Sequence, residues 1–391
     1  MPGSSIHVLH VSDTHLGYRQ YGLYEREQDI YNVFREVIDN AVREHVDLVI
    51  HTGDFFDSVR PPSQAILVAI EELRRLRERG IPFVAIMGDH DTPRRRVAPP
   101  LLILERLGLL RIIGLKNDVL RLTIRTRSGR EVLVAGLRSH RRNEAAKLRM
   151  LLARLRKPDE DKPSILMLHQ CISRVCPQYE LDLTHLPQGY SYYALGHLHV
   201  YKELKVGGRP LIYPGAVDYM RVDEVRSDGG GRFIVLADIG SETTVQRIKL
   251  RRVRPQIYYE LDEAQFQSKL AELVASIRRL RVNGAKPIVH LKVRGSEHNR
   301  KRIISSIERE LGGLALYYRL QYETMKPSLL GSRRISDEVA SIDKFELLKE
   351  LLRDEGLARL AEELIDILSV KGQNPVNEAV KVIDKFYGLE G

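Results

Sequence analysis

Apolar runs alternate with helical patterns over the first quarter of the chain. Three short runs at 5–12, 46–54 and 81–91 are rich in β-branched residues and predict buried strands. Apolar residues recur at helical spacing through 25–45, and 63–80 repeats that pattern and ends on a glycine. Alternating strands and helices at this spacing predict right-handed βαβ units and a largely parallel sheet.

Beyond residue 119 the pattern changes to shorter strands. Residues 119–137 predict a hairpin that turns at Ser128-Gly129, and a helix over 141–156 is followed by strands over 164–170 and 191–200. A small α/β module is expected next, with strands at 256–262, 286–295 and 314–323 and helices near 263–281 and 297–311. Helical patterns over 341–353, 355–369 and 375–387 end the chain.

Composition narrows the class of protein. A chain of 391 residues, 43% hydrophobic and 29% charged, is typical of two or three folded domains. The net charge of +10 permits an acidic partner such as nucleic acid, although solvated basic faces are common. The sequence has no apolar run of membrane-spanning length and no export signal at its start. Cys171 and Cys176 are too few for a disulfide framework, so we expect a cytoplasmic, reducing environment.

Acidic residues and histidines directly follow five of the predicted strands. The carboxyl ends of parallel strands share one edge of a sheet, so these side chains are expected to meet at one place. Two pairs are spaced two residues apart, which puts both members on the same side of a strand. Each residue alone could be explained as a turn former or as a surface histidine, but these explanations do not account for the whole set. Its members are Asp13, His15, Asp54, Asp89, His90, Asp91, His169, His197 and His199.

The donor types in this set favour a pair of metal ions. Seven donors from this set, three carboxylates and four imidazoles, exceed what one tetrahedral zinc ion requires, but they suit two ions of manganese, iron or zinc that share a bridging carboxylate. Two ions about 3.5–4 Å apart clamp the attacking and leaving oxygens of a phosphate ester. Metal-assisted phosphoester hydrolysis is therefore the reaction that the residues fit best.

The motifs as a set resemble the calcineurin-like metallophosphoesterases over roughly residues 5–240. They are Asp13-x-His15, Gly53-Asp54-x-x-Asp57, Gly88-x-His90-Asp91, His169 and Gly196-His197-x-His199. Within that superfamily, "SDTHLG" and "GDFFDS" are similar to the archaeal, SbcD-like double-strand-break repair nucleases, which work with a coiled-coil ABC-type ATPase. The resemblance implies a layered α/β core over 1–250, a small α/β capping domain over 251–327, a linker over 328–340 and a helical hairpin over 341–391 that binds the ATPase.

The resemblance also implies a role for each residue of the set. Two Mn²⁺ ions would be held, one by Asp13, His15, Asp54 and His199, the other by Asp54, Asp89, His169 and His197. His90 would act at the scissile phosphate, and Asp91 would orient it. The implied activities are 3′–5′ exonuclease on duplex DNA and endonuclease on single-stranded or hairpin DNA. A homodimer through helices near 63–79 and 98–107 is also implied.

The chain departs from the family pattern at two positions. Asp89 replaces the usual asparagine, so a third carboxylate lowers the positive charge of the centre by one unit. We expect tighter metal binding and weaker attraction of a phosphate diester. Asp57 replaces a histidine that helps to steer DNA in many members.

Basic stretches at 121–130, 138–142 and 249–255, together with Arg94, Arg95 and Arg96, suit contacts to the DNA backbone. Two other interpretations remain open. A phosphodiesterase or phosphatase outside repair would keep the metal ligands but would not need these tracts. A DNA-binding scaffold would be expected to have lost some of the ligands, and here all seven positions can ligate.

Overall fold

The chain divides into two compact units, Met1–Met325 and Lys326–Gly391. The computed structural model describes residues 5–93, 98–115, 121–155, 158–159, 162–227, 230–240, 242–280, 284–325, 344–369 and 375–388. The arginine run at 94–96 and the expected linker at 328–340 lie outside these ranges. Within them, no helix is both long enough and apolar enough to cross a membrane.

Three sheets contain all the strands of the first unit that the structure describes. In chain order the strands are β1 Ile6–Val11, β2 Leu48–His51, β3 Phe83–Ala85, β4 Arg111–Ile112, β5 Arg121–Arg125, β6 Glu131–Leu137, β7 Ser164–His169, β8 Tyr192–Gly196, β9 Lys202–Val206, β10 Arg209–Tyr213, β11 Phe233–Ile239, β12 Thr243–Lys249, β13 Gln256–Asp262, β14 Ile288–Gly295 and β15 Tyr317–Thr324. Two sheets have six strands, in the orders β12-β11-β1-β2-β3-β4 and β5-β6-β7-β8-β10-β9, and the third is β13-β14-β15.

The strands that precede the candidate site residues belong to two sheets and not to one. In the first sheet β1, β2, β3 and β4 are parallel neighbours. In the second, β6, β7, β8 and β10 are parallel, and β5 pairs with β6 as the predicted hairpin. The single sheet edge expected from the sequence is therefore wrong. The five strand ends come from the facing sheets of a sandwich.

Alternation along each strand explains why both faces of both sheets are buried. In β1, Val8 packs with residues of the second sheet such as Val134 and Met167, whereas Leu9 packs against helix residues including Phe34. On the outer face of the second sheet, Leu166 packs with Leu148 of a helix. The result is four layers, helix–sheet–sheet–helix, and it confirms the layered α/β core.

The helices agree with the periodicity of the sequence to within a few residues. They are α1 Tyr24–Arg43, α2 Ser63–Glu78, α3 Leu101–Arg106, α4 Ala145–Ala153, α5 Val222–Arg226, α6 Phe266–Arg279, α7 Arg300–Leu311, α8 Lys344–Leu352, α9 Glu355–Ser369 and α10 Pro375–Phe386. The helix expected over 141–156 is shorter because its first turn, at 142–144, is a 3-10 helix. The short helix α5 has no counterpart in the sequence-based prediction.

The remaining segments form two smaller assemblies. Strands β13, β14 and β15 make an all-parallel sheet, and α6 and α7 cover one face of it with their own apolar core. In the second unit α9 packs against both α8 and α10, so the residues described there form three helices and not a simple hairpin. We use "second domain" below for residues 256–324.

The two cysteines, which are too few for a disulfide framework, form a single pair. Cys171 and Cys176 are joined by a disulfide, with their Cα atoms 6.0 Å apart. The turn after β7 brings them together, because the backbone N–H groups of Val175 and Cys176 both donate to the carbonyl of Ile172.

Gly196 allows the two large sheets to approach each other, and its replacement tests that contact. A Cβ atom there would collide with Ser12 Oγ and with the carbonyl oxygen of Thr52, which directly follow two strands of the facing sheet. We expect Gly196→Ala to lower the free energy of unfolding by about 3 kcal/mol, measured by urea denaturation. Gly313→Ala is the matched control, since no atom lies within 4 Å of its added Cβ. Equal midpoints for the two variants would contradict this account.

Candidate metal centre

Most residues of the candidate site lie in the loops that leave β1, β2, β3 and β8, whereas His169 is the last residue of β7. Strand β1 ends at Val11 and β8 at Gly196, so the Asp13/His15 and His197/His199 pairs both follow a strand end. The argument from alternation along a strand is therefore wrong, although both pairs do reach the site. The loops turn by means of left-handed backbone at Asp13, His15, Asp54 and His197, with φ of 50°, 44°, 54° and 85°.

Hydrogen bonds between the loops hold this strained backbone in place. The backbone N–H of Asp13 donates to the carbonyl of Gly53, and that of His15 donates to the carbonyl of Asp54, each at 3.0 Å. The backbone N–H of His197 donates to Asp13 Oδ2 at 3.1 Å and so joins the second sheet to the first. Left-handed conformations at non-glycine residues cost of order 1–3 kcal/mol each and cluster at functional sites.

The side chains form two donor groups with a carboxylate between them. In the first group, His199 Nε2 lies 3.7 Å from Asp13 Oδ1 and 3.4 Å from His15 Nε2. In the second group, the Nδ1 atom of His197 lies 3.2 Å from Asp89 Oδ2, and His169 is part of the same cluster. Each group brings three donor atoms within 4.8 Å of one another.

Asp54 occupies the position of a bridging ligand. Its Oδ2 atom lies 3.3 Å from His169 Nε2, in the second group, and 3.9 Å from His15 Nε2, in the first. Its other oxygen, Oδ1, accepts a hydrogen bond of 2.8 Å from the backbone N–H of His90. One oxygen is therefore tied to the backbone while the other faces both groups.

Within the described part of the chain, two buried donor atoms of the cluster lack a hydrogen-bond partner, as expected of atoms that bind a cation. Asp13 Oδ1 and His169 Nε2 are out of contact with solvent and have no hydrogen-bond partner among the described residues. An unsatisfied buried polar atom costs about 1–3 kcal/mol, and a bound ion would remove that cost. Burial lowers the pKa of His169, but the carboxylates of Asp54, Asp13 and Asp89 outweigh it and raise that pKa to about 10. The cluster thus stabilises positive charge strongly.

His90 lies beside the two groups with its ring partly open to solvent. Its Nδ1 atom is 2.6 Å from the backbone carbonyl of Asp57, which can only accept, so Nδ1 carries the proton. Asp91 does not orient this ring. Its buried carboxylate accepts hydrogen bonds from the backbone N–H groups of Phe55, Phe56 and Gly88. Asp57, identified above only as a departure from the pattern, takes the orienting position.

The structure adds residues that the sequence did not single out. Ser139 Oγ donates to Asp89 Oδ1 at 2.5 Å, which leaves Oδ2 to face the second group. Glu224 lies on the unpredicted helix α5 and contacts the ring of His199. Neither position had a distinguishing motif, because each reaches the site through folding of a distant segment. An open cavity of about 520 Å³ adjoins both groups, and its lining includes His90, Arg221 and the two cysteines.

The fold and this site together define a calcineurin-like phosphoesterase. The model of the family described as "Calcineurin-like phosphoesterase" matches residues 6–201. Such enzymes are dinuclear metal enzymes, and the chain is accordingly a metal-dependent phosphodiesterase of the nuclease class.

Comparison with curated proteins identifies the family more closely. The chain is 38% identical to the DNA double-strand break repair protein Mre11 of Sulfurisphaera tokodaii, over 83% of this chain and 82% of that protein. The Mre11 proteins of Sulfolobus acidocaldarius and Thermoplasma acidophilum are 33% and 32% identical, over 98% and 97% of this chain and 99% and 98% of theirs. The chain belongs to the Mre11 family of phosphoesterases.

Because Asp54 lies between the two donor groups, replacing it with a neutral residue should disturb both metal positions. We expect Asp54→Asn to weaken Mn²⁺ binding at both positions by more than about 10-fold, because the shared oxygen loses its charge. Isothermal titration of metal-stripped protein measures both affinities. Asp262→Asn, at an exposed carboxylate of β13, is the control and should titrate as the wild type does. Two unchanged sites in Asp54→Asn would rule out the bridge.

Proposed function

We propose that the chain is a dinuclear, Mn²⁺-dependent DNA nuclease that processes DNA ends in double-strand break repair. As proposed, it acts as a 3′–5′ exonuclease on duplex ends and as an endonuclease on single-stranded and hairpin DNA. The position of the Asp54 carboxylate between two donor groups is the observation that supports it most directly. The Mre11 relatives named above are DNA double-strand break repair proteins, which supports the choice of substrate.

The proposed ligands follow the two donor groups. Asp13, His15 and His199 would hold one ion, and Asp89, His169 and His197 the other, with Asp54 shared. When bound, the ions supply Lewis-acid stabilisation of the phosphate oxygens.

His90 would act on the substrate directly. Its Nδ1–H is held by the Asp57 carbonyl and its backbone N–H by Asp54, so the ring is fixed relative to the bridging carboxylate. A fixed imidazole whose Nε2 is free to carry a proton can donate it to the departing oxygen. His90 would therefore assist the leaving group, and Asp57 would set its orientation.

Asp89 would adjust the charge of the centre. Burial raises the pKa of Asp89, but hydrogen bonds from His197 and Ser139 and the charge of His169 lower it to about 2. The residue is therefore ionised at neutral pH. An ionised ligand in place of a neutral amide favours metal retention over attraction of the phosphate diester.

Exposed apolar residues on α2 and α3 support the proposed homodimer. Leu67 on α2, Ile103 on α3 and Leu107, which follows α3, are each about half exposed. Ile103 and Leu107 are four residues apart, which is helical spacing, and exposed apolar side chains that adjoin on a surface mark sites of protein association. They lie on the helices that the family resemblance assigns to the dimer.

The second unit supports a separate partner, the coiled-coil ABC-type ATPase. Among the residues described there, large apolar side chains are exposed on all three helices, including Leu351, Leu357, Ile365 and Val380. Three short helices cannot bury all of their apolar surface against each other. An amphipathic helical surface of this kind suits docking on another helical protein.

Cleavage assays test the nuclease proposal and the role of His90 together. We expect metal-stripped protein to cut end-labelled duplex, single-stranded and hairpin DNA only when Mn²⁺ is added, and we expect label position to report 3′–5′ polarity. His90→Asn should lower the cleavage rate at least about 100-fold, because it removes a proton donor, while two ions remain bound. The control is His185→Asn, which replaces an exposed histidine outside the two donor groups and should cleave DNA at the wild-type rate.

Other outcomes of this assay would contradict the proposal in different ways. Cleavage of bis(p-nitrophenyl) phosphate but not of DNA would identify a phosphodiesterase outside repair. DNA binding without cleavage at any metal concentration would identify a scaffold. Loss of metal in His90→Asn would make His90 a ligand, since it also lies within ligand range of His15 and Asp54.

Removal of the second unit tests the proposed ATPase partner. Deleting residues 335–391 should leave Mn²⁺ binding and basal nuclease activity intact and abolish co-elution with the ATPase in size-exclusion chromatography. Leu351→Glu should weaken the complex within the full chain, because it places a charge in the proposed apolar contact. Met150→Glu, at an exposed apolar position on α4, is the matched control. Co-elution of the truncated chain would refute the assignment.

A further inference from the structure

Glu224 connects one of the proposed metal ligands to a buried ion pair. Its carboxylate lies on α5 and is almost fully buried. Oε1 is 2.7 Å from Nδ1 of His199, whereas Oε2 accepts hydrogen bonds from the Arg232 guanidinium at 2.6 Å and from the backbone N–H of Met220 at 3.0 Å. Both oxygens therefore have fixed partners, and one of those partners is the His199 ring.

Arg232 holds the carboxylate and the backbone of His199 at the same time. The guanidinium donates to the carbonyl oxygen of His199 as well as to Glu224, and it stacks on the Tyr219 ring at 4.1 Å from the centroid. The buried salt bridge at 2.6 Å to the always-charged Arg232 guanidinium identifies Glu224 as an ionised carboxylate, which can only accept hydrogen bonds.

The tautomer of His199 follows from this contact. Because Glu224 can only accept, Nδ1 of His199 carries the hydrogen, and its lone pair lies on Nε2. Nε2 is the atom that faces Asp13 Oδ1 at 3.7 Å and His15 Nε2 at 3.4 Å. A carboxylate behind an imidazole ligand also increases the basicity of the ligand nitrogen.

Among the described residues, the buried histidine of the other donor group has a neutral partner behind its ring. Nδ1 of His169 is 2.7 Å from the backbone carbonyl of Thr52, which is a neutral acceptor. This carbonyl fixes His169 in the same tautomer as His199, with the hydrogen on Nδ1, but it adds no negative charge. The two donor groups are therefore supported unequally, one by an ionised carboxylate and the other by a peptide group.

We propose that Glu224 is a positioning residue that fixes His199 as an Nε2 donor and strengthens the metal position formed by Asp13, His15 and His199. The position formed by Asp89, His169 and His197 does not depend on it. This inference rests on the proposed function, since it requires that both groups hold metal. The expected effect is selective, because loss of the Glu224 charge should weaken the binding of one ion and leave the binding of the other unchanged.

Glu224→Gln tests this selectivity in the full-length protein. We expect Mn²⁺ titration of metal-stripped protein to show one affinity unchanged and the other weakened about 10- to 100-fold. At Mn²⁺ concentrations between the two dissociation constants, electron paramagnetic resonance should show the hyperfine pattern of isolated Mn²⁺ where the wild type shows a coupled pair. A general loss of stability would not produce that change. Asp223→Asn, the exposed neighbour on α5, should retain the coupled pair.

The outcomes separate this inference from the proposal on which it rests. A wild-type protein that binds no Mn²⁺ pair would refute the metal centre itself. A wild-type pair that persists unchanged in Glu224→Gln would overturn the role of Glu224 alone, as would equal weakening of both ions. If Glu224→Gln does not fold, the double variant Glu224→Gln/Arg232→Met removes the unpaired buried cation. A coupled pair in that variant would also overturn the role, and its selective loss would support it.

Discussion

The hydrogen bond from the His197 backbone to the Asp13 carboxylate is the contact on which the rest of the site depends. It joins the loop after β8, in the second sheet, to the loop after β1, in the first. Because Ser12 Oγ also donates to Asp13 Oδ2, that oxygen is fully engaged and Oδ1 remains for the centre. The close approach of the sheets at Gly196 makes this geometry possible. A wider separation would divide each donor group, because each group takes side chains from both sheets.

The second constraint on the metal centre is that the negative charge of its carboxylates must be compensated. Asp13, Asp54 and Asp89 bring three carboxylates into one partly buried cluster, and their mutual repulsion must be compensated by cations. The raised pKa of His169 shows how strongly the cluster favours positive charge. A divalent ion supplies more positive charge than a protonated imidazole. The unpaired donor atoms of the site are therefore suited to binding such ions.

A second network of charges connects the second domain to the same region. Arg26 is fully buried and pairs with Asp29 and Asp218, and Asp29 also pairs with Arg254 at the approach to β13. The segment after Asp218 leads into α5, where Arg226 stacks on the ring of Tyr258 in β13. The helix that carries Glu224 is therefore held by the phosphoesterase core on one side and by the second domain on the other.

The sequence by itself determined the layered α/β class and the residue types of the centre, because strand and helix periodicity and residues at strand ends are local properties. It did not determine that β1 and β8 belong to different sheets, nor that Asp13 and His197 turn through left-handed backbone, since both depend on contacts between distant segments. The tertiary structure also decided which residues form hydrogen bonds with His90 and His199. Asp57 replaced Asp91 behind His90, and Glu224 came to His199 from a helix that no pattern predicted. Local chemistry can be predicted from composition and spacing, but a hydrogen-bond partner is chosen by the packing of the whole chain.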